Sequence, residues 1–151
     1  MSNVKRPRIA AVVTEVRRYS HAQHILDRFL FGYSWDGHHH VPDIELVSLY
    51  ADQHPDGELS RDRAKMFPQM KIYPTISEAL CQGGQRLDVD GVLLPGEHGK
   101  YPTNPTGQRL YPRYEFFQQI VDVFRKSAVS YTHLRAHETD SYLVCRLLLE
   151  K

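Results

Sequence analysis

The chain has 151 residues, of which 41% are hydrophobic and 25% are charged, and its formal net charge at pH 7 is +1. This length suits one domain with a real core, and the near-neutral charge argues against a dedicated nucleic-acid binder. No apolar run approaches the roughly 20 residues of a membrane span, and the start of the chain lacks the apolar region of a signal peptide. We therefore expect a cytoplasmic protein that binds a small molecule and has neither nucleic-acid nor membrane partners.

The first half of the chain alternates strand and helix. Residues 9–13 (IAAVV) form an apolar, β-branched run typical of a strand buried on both faces. Ser20 is placed to cap a helix that carries one apolar stripe and ends at Gly32. A polar loop is predicted for residues 32–43, and a second strand for residues 44–50 (IELVSLY).

The second half continues the alternation. Ser60 is predicted to cap a short helix, residues 71–73 to form a third strand, and residues 75–78 (TISE) to form a capping box at the start of the next helix. Residues 91–94 (GVLL) are the fourth predicted strand, and residues 112–126 the last helix. The expected buried stripe of that helix consists of Phe116, Phe117, Ile120, Val121 and Phe124.

Strands that alternate with helices predict an α/β fold, with a Rossmann-like parallel sheet flanked by helices. We expect the runs 9–13, 44–49 and 91–94 to be parallel neighbours. Ligands of such sheets bind beyond the carboxyl ends of the strands. The segments at those ends are residues 14–20, 51–54 and 95–101.

Residues 129–151 (VSYTHLRAHETDSYLVCRLLLEK) differ in character from the rest. Back-translation in one frame gives sequences like the transposase mosaic end and the flow-cell adapter of DNA library preparation. We therefore expect a truncated natural domain of residues 1–128, followed by an artefactual tail that folds as a helix or strand on an open sheet edge. Without this tail Cys81 is the single cysteine, which fits a reducing cytoplasm.

One stretch of the chain matches the sequence pattern of a known family. The matching residues are Ile72, Tyr73, Thr75, Glu78, Ala79 and Leu80, followed by residues 87–95 (LDVDGVLLP), with His21 at the start of the first helix. The region 8–98 resembles the N-terminal Rossmann domain of the glucose–fructose oxidoreductase and inositol dehydrogenase family, and within it an uncharacterised bacterial set. The resemblance implies an NAD(P)-dependent oxidoreductase acting on a small sugar or cyclitol-like substrate. The family's catalytic lysine would lie beyond residue 128, so we expect the fragment itself to be inactive.

The first turn departs from that family. The three glycines of its G-x-G-x-x-G motif fall on Val13, Glu15 and Arg18, and Glu15 places a carboxylate where a diphosphate would sit. Thr14, Arg17 and Arg18 stay as candidate cofactor-binding residues that would hold phosphate through their side chains. We expect NAD(P) binding to be weak or absent.

Three further residues stand at predicted strand ends. Asp52 follows the second strand, where dinucleotide-binding domains place an acid that bonds the ribose, although an Asp here is also typical of a turn. Glu97 and His98, between two glycines after the fourth strand, are candidate catalytic residues as an acid/base pair, or metal ligands, or merely solvated turn residues.

The histidines near the carboxyl ends of the strands favour a different interpretation, in which this edge of the sheet binds a metal. His21, Asp52 and His98 are candidate ligands of a divalent metal, with Glu97 beside them. His24 shares a helix face with His21, and a structural role for that pair is the simpler interpretation. The tract 38–40 (HHH) lies in the predicted loop and is expected to be solvent-exposed.

Three functions stay open at this point. The first is an oxidoreductase-like fragment with a degenerate dinucleotide-binding turn. The second is a metal-assisted lyase or hydrolase on a Rossmann-like fold, and the third is a non-catalytic binding domain. Fold alone does not separate them, since one fold supports many chemistries. The long connection 101–114, rich in Tyr and Pro and carrying Arg109 and Arg113, is expected either to cover the pocket mouth or to pack against other parts of the protein.

Overall fold

The structure is a computed structural model that describes residues 5–128, 131–139 and 142–149. The strands are β1 (Arg8–Val13), β2 (Tyr33–Trp35), β3 (His38–His40), β4 (Glu45–Ala51), β5 (Lys71–Ile72), β6 (Gly91–Leu94), β7 (Tyr131–Thr139) and β8 (Tyr142–Leu149). The helices are α1 (His21–Leu30), α2 (Ser60–Met66), α3 (Ile76–Cys81) and α4 (Arg113–Lys126). Within the described residues, six strands form one sheet in the order β5-β4-β1-β6-β8-β7, and β2 and β3 form a separate hairpin.

β1 is the central strand of the parallel part of the sheet. It pairs in parallel with β4 on one side and with β6 on the other, and β4 pairs in parallel with β5. The prediction of an α/β fold with a Rossmann-like parallel sheet is therefore confirmed, as is the adjacency of the three apolar runs. Because parallel strands end at the same edge, the segments that follow β1, β4 and β6 lie side by side.

Both faces of the parallel strands are buried. Successive side chains of β1 point to opposite faces, so Val12 packs into the core under α3 and α4, and Val13 into the core under α1. Phe124 of α4 and Leu26 of α1 are fully buried in these two cores. Truncating either to Ala would cost about 2–5 kcal/mol, the range for large buried side chains.

Two of the predicted helix caps are confirmed and one is wrong. The Ser20 hydroxyl accepts a hydrogen bond from the Gln23 amide, and the Thr75 hydroxyl accepts one from the Glu78 amide, both at 3.1 Å. Ser60 is instead the first residue of α2, after the N-cap Leu59, which makes no side-chain capping bond; the Ser60 hydroxyl donates to the Glu58 carboxylate at 2.5 Å. The buried residues of α4 are Phe116, Ile120, Val121, Val123 and Phe124, whereas Phe117 is only partly buried.

The loop predicted for residues 32–43 contains the β2–β3 hairpin. β2 and β3 pair antiparallel around Asp36 and Gly37, whose φ angles are 49° and 73°. Two consecutive positive φ values define the type I′ turn, which matches the twist of a hairpin and favours an Asp-Gly pair. Sequence reasoning missed this element because all six of its strand residues are exposed and show no apolar alternation.

The segment after residue 128 adds two antiparallel strands to the sheet. β8 pairs with β6 through the register Gly91↔Leu148 to Leu94↔Cys145, and β7 pairs with β8. The backbone thus follows the expected course of a strand on the β6 edge, while the adapter origin of residues 129–151 stays a prediction. Residues 129–130, 140–141 and 150–151 lie outside the described residues. In the part of the chain that is described, no helix combines the length and the apolar character needed to cross a bilayer.

Candidate functional site

The turns that follow β1 and β6 are tied together beyond the carboxyl ends of the strands. The buried hydroxyl of Thr14, the residue after β1, donates to the backbone carbonyl of Glu97. Arg113, the first residue of α4, donates from Nε to the carbonyl of Gly96 at 2.9 Å. A Cβ atom at Gly96 would lie 3.0 Å from Arg113 Cγ, so a larger residue there would force the arginine to shift by a few tenths of an ångström. These contacts fix the segment that carries Glu97 and His98.

Three side chains of types that can ligate a metal meet at this point. His21, the first residue of α1, and Glu97 and His98, beyond β6, place one donor atom each within 4.8 Å of the others. His21 Nδ1 lies 2.6 Å from Glu97 Oε2, and the rings of His21 and His98 have centroids 4.8 Å apart with an angle of 32° between their planes. The trio comes from two chain segments that meet only because β1 and β6 are neighbours in the sheet.

Glu97 is a buried carboxylate that is held on both oxygens. Only 7% of its surface is exposed. Arg113 Nη2 lies 3.1 Å from Oε1, and His21 Nδ1 approaches Oε2. A buried charge is tolerated when it is paired and hydrogen-bonded, and Arg113 supplies that pairing. The arginine also fixes which carboxylate oxygen faces the two histidines.

His98 adopts a backbone conformation that is uncommon for residues other than glycine. Its φ is 70°, in the left-handed region, where a side chain other than Gly costs of order 1–3 kcal/mol and where strain is concentrated at functional sites. Burial lowers the pKa of His98 below its ordinary value, with further lowering from His21 and Arg17. His98 is therefore neutral at pH 7, the state in which imidazole binds metals. Its Nε2 is buried and has no hydrogen-bond partner among the described residues.

Arg17 connects this trio to the first turn. Its Nε donates to Glu15 Oε1 at 2.5 Å, and its Nη2 lies 3.3 Å from His98 Nδ1. Glu15 is 4% exposed, whereas 48% of the Arg17 side chain is exposed. The buried carboxylate therefore anchors a guanidinium whose outer face is open to solvent.

Asp52 holds two phenols beside the site. Its carboxylate accepts hydrogen bonds from Tyr50 at 2.9 Å and from Tyr101 at 2.7 Å. Burial, followed by the bond to Asp52, raises the pKa of Tyr50 to about 12, and the same causes raise the pKa of Tyr101. The carboxylate is occupied by these contacts and does not belong to the group of converging metal ligands.

Gln53 anchors the turn after β6 to the end of β4. Its side-chain amide accepts from the Lys100 amide at 2.9 Å and donates to the Lys100 carbonyl at 3.1 Å. The turn passes so close that a Cβ atom at Gly99 would lie 2.7 Å from Tyr101 Cε2 and 3.1 Å from Gln53 Oε1. Gly99 also has a φ of 105°. Only glycine satisfies both conditions at this position.

The structure brings some of the sequence candidates together and leaves others apart. His21, Glu97 and His98 form the trio, Arg17 contacts it, and Thr14 supports it through the backbone. Asp52 binds the two phenols. The guanidinium of Arg18 lies 4.9 Å from the centre of the Tyr19 ring, and the remaining histidines considered, His24 and residues 38–40, are exposed.

Two supporting residues were not predicted in their observed roles. Arg113 was placed both in the long connection 101–114 and in the predicted last helix 112–126; it is the first residue of α4, and its contact with Glu97 was not predicted. Gln53 was passed over because an amide side chain next to a strand end carries no signal of its own. Arg113 had a usable signal, since a buried acid in a predicted site requires a cation from some other element.

The donor set matches known metal chemistry. Two imidazoles and one carboxylate are the protein ligands of many catalytic zinc sites, which keep a further position open for water or substrate. His21, Glu97 and His98 are the residues that could hold such an ion. Glu15, which is buried and bound to Arg17, lies in the turn after β1, where dinucleotide-binding domains carry their glycine-rich sequence.

Comparison with known proteins gave no relative: no family model, no curated protein and no solved structure matches the chain. The resemblance to the glucose–fructose oxidoreductase and inositol dehydrogenase family therefore stays a prediction. The function is therefore inferred from the side chains of the site.

Proposed function

We propose that this domain binds one divalent transition-metal ion through His21, Glu97 and His98, and that the metal assists a hydrolase or lyase reaction on a small molecule. The single observation behind the proposal is the convergence of the three donor atoms within 4.8 Å at the carboxyl edge of the parallel sheet. That edge is where folds of this class bind their ligands.

The distances suit a metal after small side-chain adjustments. Ligand atoms bound to zinc at about 2.1 Å in a tetrahedral arrangement lie roughly 3.4 Å apart. The donor atoms lie within 4.8 Å of one another, so the longest separation has to shrink by at most about 1.4 Å. His21 Nδ1 and Glu97 Oε2, which are 2.6 Å apart, would have to separate if both bind the ion. We expect rotations of the side chains to supply these changes. The mixture of imidazole and carboxylate favours zinc or a neighbouring transition metal over magnesium or calcium, which prefer oxygen ligands.

The surrounding residues favour metal chemistry over dinucleotide chemistry. A metal in such a site lowers the pKa of bound water to about 7 and polarises carbonyl groups. Arg113 pairs with Glu97 and orients its carboxylate, and the lowered pKa of His98 favours the neutral ring, which has a nitrogen lone pair for the ion. A hydride transfer to NAD(P), which the family resemblance implies, would require a diphosphate to approach the turn where Glu15 is buried.

Zinc titration with a chromophoric competitor tests the proposal. We expect the full chain to bind one equivalent of zinc. His21→Ala, Glu97→Gln and His98→Ala should each lose more affinity than the roughly 10–100-fold that outer-shell changes cost in metal sites. The matched control is His24→Ala, an exposed histidine one turn further along α1, which should bind zinc as the wild type does.

Two results would contradict the proposal. One is a wild-type chain with no stoichiometric zinc binding, and the other is an equal loss of affinity in His24→Ala. A screen of the zinc-loaded protein for chelator-sensitive ester hydrolysis, and for elimination of water from hydroxy acids, then assigns the reaction class.

A further inference from the structure

We propose that Arg17 forms an oxyanion subsite next to the metal centre, and that metal binding releases the arginine from His98 so that it can hold the carboxylate or phosphate group of a small ligand. This inference rests on the proposed function and specifies the ligand class of that site. It is carried by the contacts of one guanidinium group.

Most of the hydrogen-bonding capacity of Arg17 is unused. A guanidinium has five N–H donors in a rigid planar fork. In the described residues, Arg17 uses Nε for Glu15 and one N–H of Nη2 for His98 Nδ1. With 48% of the side chain exposed, the remaining donors face solvent. The bond from Arg17 Nε to the buried Glu15 fixes the position of the guanidinium group. The Nη donors are therefore held near the proposed metal ligands.

The chemistry of imidazole dictates what metal binding does to Arg17. Arginine can only donate, so its contact at 3.3 Å requires His98 Nδ1 to be the nitrogen without a proton. A metal ion on Nδ1 would take that lone pair directly. A metal ion on Nε2 would require the ring proton to sit on Nδ1, which then cannot accept a bond from arginine. With either nitrogen as ligand, Arg17 Nη2 loses its partner and becomes available.

The charges at the site favour an anion as the new partner. Glu15 is paired with Arg17, and Glu97 with Arg113, so these four side chains cancel in pairs. Imidazole ligands are neutral when they bind a metal. A divalent ion therefore leaves two positive charges uncompensated next to the buried Glu97. An oxyanion bound to the metal and bridged to the Arg17 fork satisfies both the charge and the released donor.

Cobalt-substituted protein provides the test, because Co²⁺ reports its own ligands through visible absorption. The full chain is loaded with Co²⁺ and titrated with acetate and, separately, with inorganic phosphate. Both anions are expected to shift the spectrum with saturation in the wild type. The tighter of the two identifies the ligand group as a carboxylate or as a phosphate. Arg17→Met should weaken anion binding about 10–100-fold, the loss expected for a hydrogen bond to a charged group.

The same variant should show an effect of opposite sign on the metal. Arg17→Met should bind Co²⁺ as tightly as the wild type or more tightly, because the competitor for His98 is gone. Arg17→Lys keeps the charge beside Glu15 without the fork, and it should keep the metal and lose most of the anion affinity. Arg18→Met is the matched control: it removes the same charge from the same turn, and it should leave anion binding within about twofold, because an exposed charge acts only weakly at this distance.

The outcomes separate the inference from the proposed function. A wild-type chain without cobalt absorption contradicts the metal site itself. Cobalt absorption that neither anion changes overturns the subsite and leaves the metal site standing. Equal anion losses in Arg17→Met and Arg18→Met would also overturn it, because a general charge effect would then replace the specific contact.

Discussion

At the scale of single residues, His98 combines an unfavourable backbone with a favourable side-chain position. Its left-handed φ of 70° places the imidazole against His21 and Arg17, in a turn held by the Thr14 hydroxyl. One donor nitrogen of His98 lies within 4.8 Å of the donor atoms of His21 and Glu97. The conformational cost is thus coupled to the geometry of the proposed metal site.

This coupling predicts that stability and metal affinity change separately at His98. Asparagine tolerates the left-handed region better than other residues with side chains. We expect His98→Asn to leave the free energy of unfolding within about 1 kcal/mol of wild type, since relief of strain offsets lost packing. Zinc affinity should fall by more than tenfold. Urea unfolding of the metal-free proteins measures the first quantity. A loss of several kcal/mol in the free energy of unfolding would show that His98 stabilises the fold. The strained backbone of His98 would then have no link to metal binding.

Asp52 controls two phenols, and its effect can be measured directly. The carboxylate raises the pKa of both Tyr50 and Tyr101, so Asp52→Asn should bring both phenols to lower pKa values. An ultraviolet titration between pH 9 and 12 records the change. Because the folded-state pKa lies above the ordinary value of about 10, the unfolded chain loses these protons first. Stability of the wild type should fall as pH rises from about 10 to 12, and the fall should be shallower in Asp52→Asn. Unchanged titration curves would mean that burial alone causes the shifts.

At the scale of secondary-structure elements, the site depends on how the turn after β6 is fastened. Gln53 binds the backbone of Lys100 through both ends of its amide, in the manner of a neighbouring strand. It thereby holds the turn that contains Glu97 and His98 without contacting either side chain. Gln53 is a positioning residue for the proposed metal site.

The role of Gln53 predicts a selective loss. Gln53→Ala removes both bonds, and zinc affinity should fall about 10-fold, the lower range for changes around metal ligands. The thermal unfolding midpoint should move by only a few degrees, because the bonds are exposed and each contributes about 1 kcal/mol. Gln82→Ala, a glutamine at the far end of α3, is the control and should not change zinc affinity. Full zinc affinity in Gln53→Ala would refute the positioning role.

The strands after residue 128 allow a test of whether residues 1–128 form a stable domain without them. Every residue assigned to the site lies between Thr14 and Arg113, and β1, β4, β5 and β6 form the parallel sheet without β7 or β8. A chain that ends at Ala128 should therefore unfold cooperatively and bind zinc as the full chain does. Calorimetry and zinc titration check the two statements. A loss of cooperative unfolding comparable to deletion of a core helix would show that β8 is integral to the domain.

The elements also show what the sequence could reveal and what it could not. The strands β1, β4 and β6 were predictable because each is a run of apolar residues buried on both faces. The β2–β3 hairpin was missed although Asp36-Gly37 is a strong turn signal, because exposed strands carry no pattern of burial. Glu97 and His98 were found from their position past a strand end. The pairing of Glu97 with His21 and Arg113 depends on distances between segments that local patterns do not contain.

At the scale of the whole molecule, the parallel order β4-β1-β6 determines which side chains lie together at the carboxyl edge of the sheet. It brings the first turn, with its buried Glu15, next to the turn that holds Glu97. The edge that dinucleotide-binding domains devote to a diphosphate is here occupied by two buried carboxylates, each paired with one arginine. A diphosphate at this edge would have to approach the buried carboxylate of Glu15.

This arrangement predicts poor binding of NAD(P). A turn without glycine denies the backbone approach that phosphate recognition at a helix start requires. We expect fluorescence titration with NADH or NADPH to give no saturation at micromolar concentrations. Glu15→Gln should not restore binding, because the Cβ atoms of the turn remain. Micromolar affinity in the wild type would support the oxidoreductase interpretation instead.

The most direct test of the metal centre is a crystal of the zinc-soaked full chain measured on both sides of the zinc absorption edge. We expect one strong anomalous peak bounded by His21, Glu97 and His98, at about 2.0–2.2 Å from their donor atoms. Arg17 should have moved away from His98. A peak at the exposed histidines of β3, or no peak within reach of Glu97, would contradict the proposed metal site.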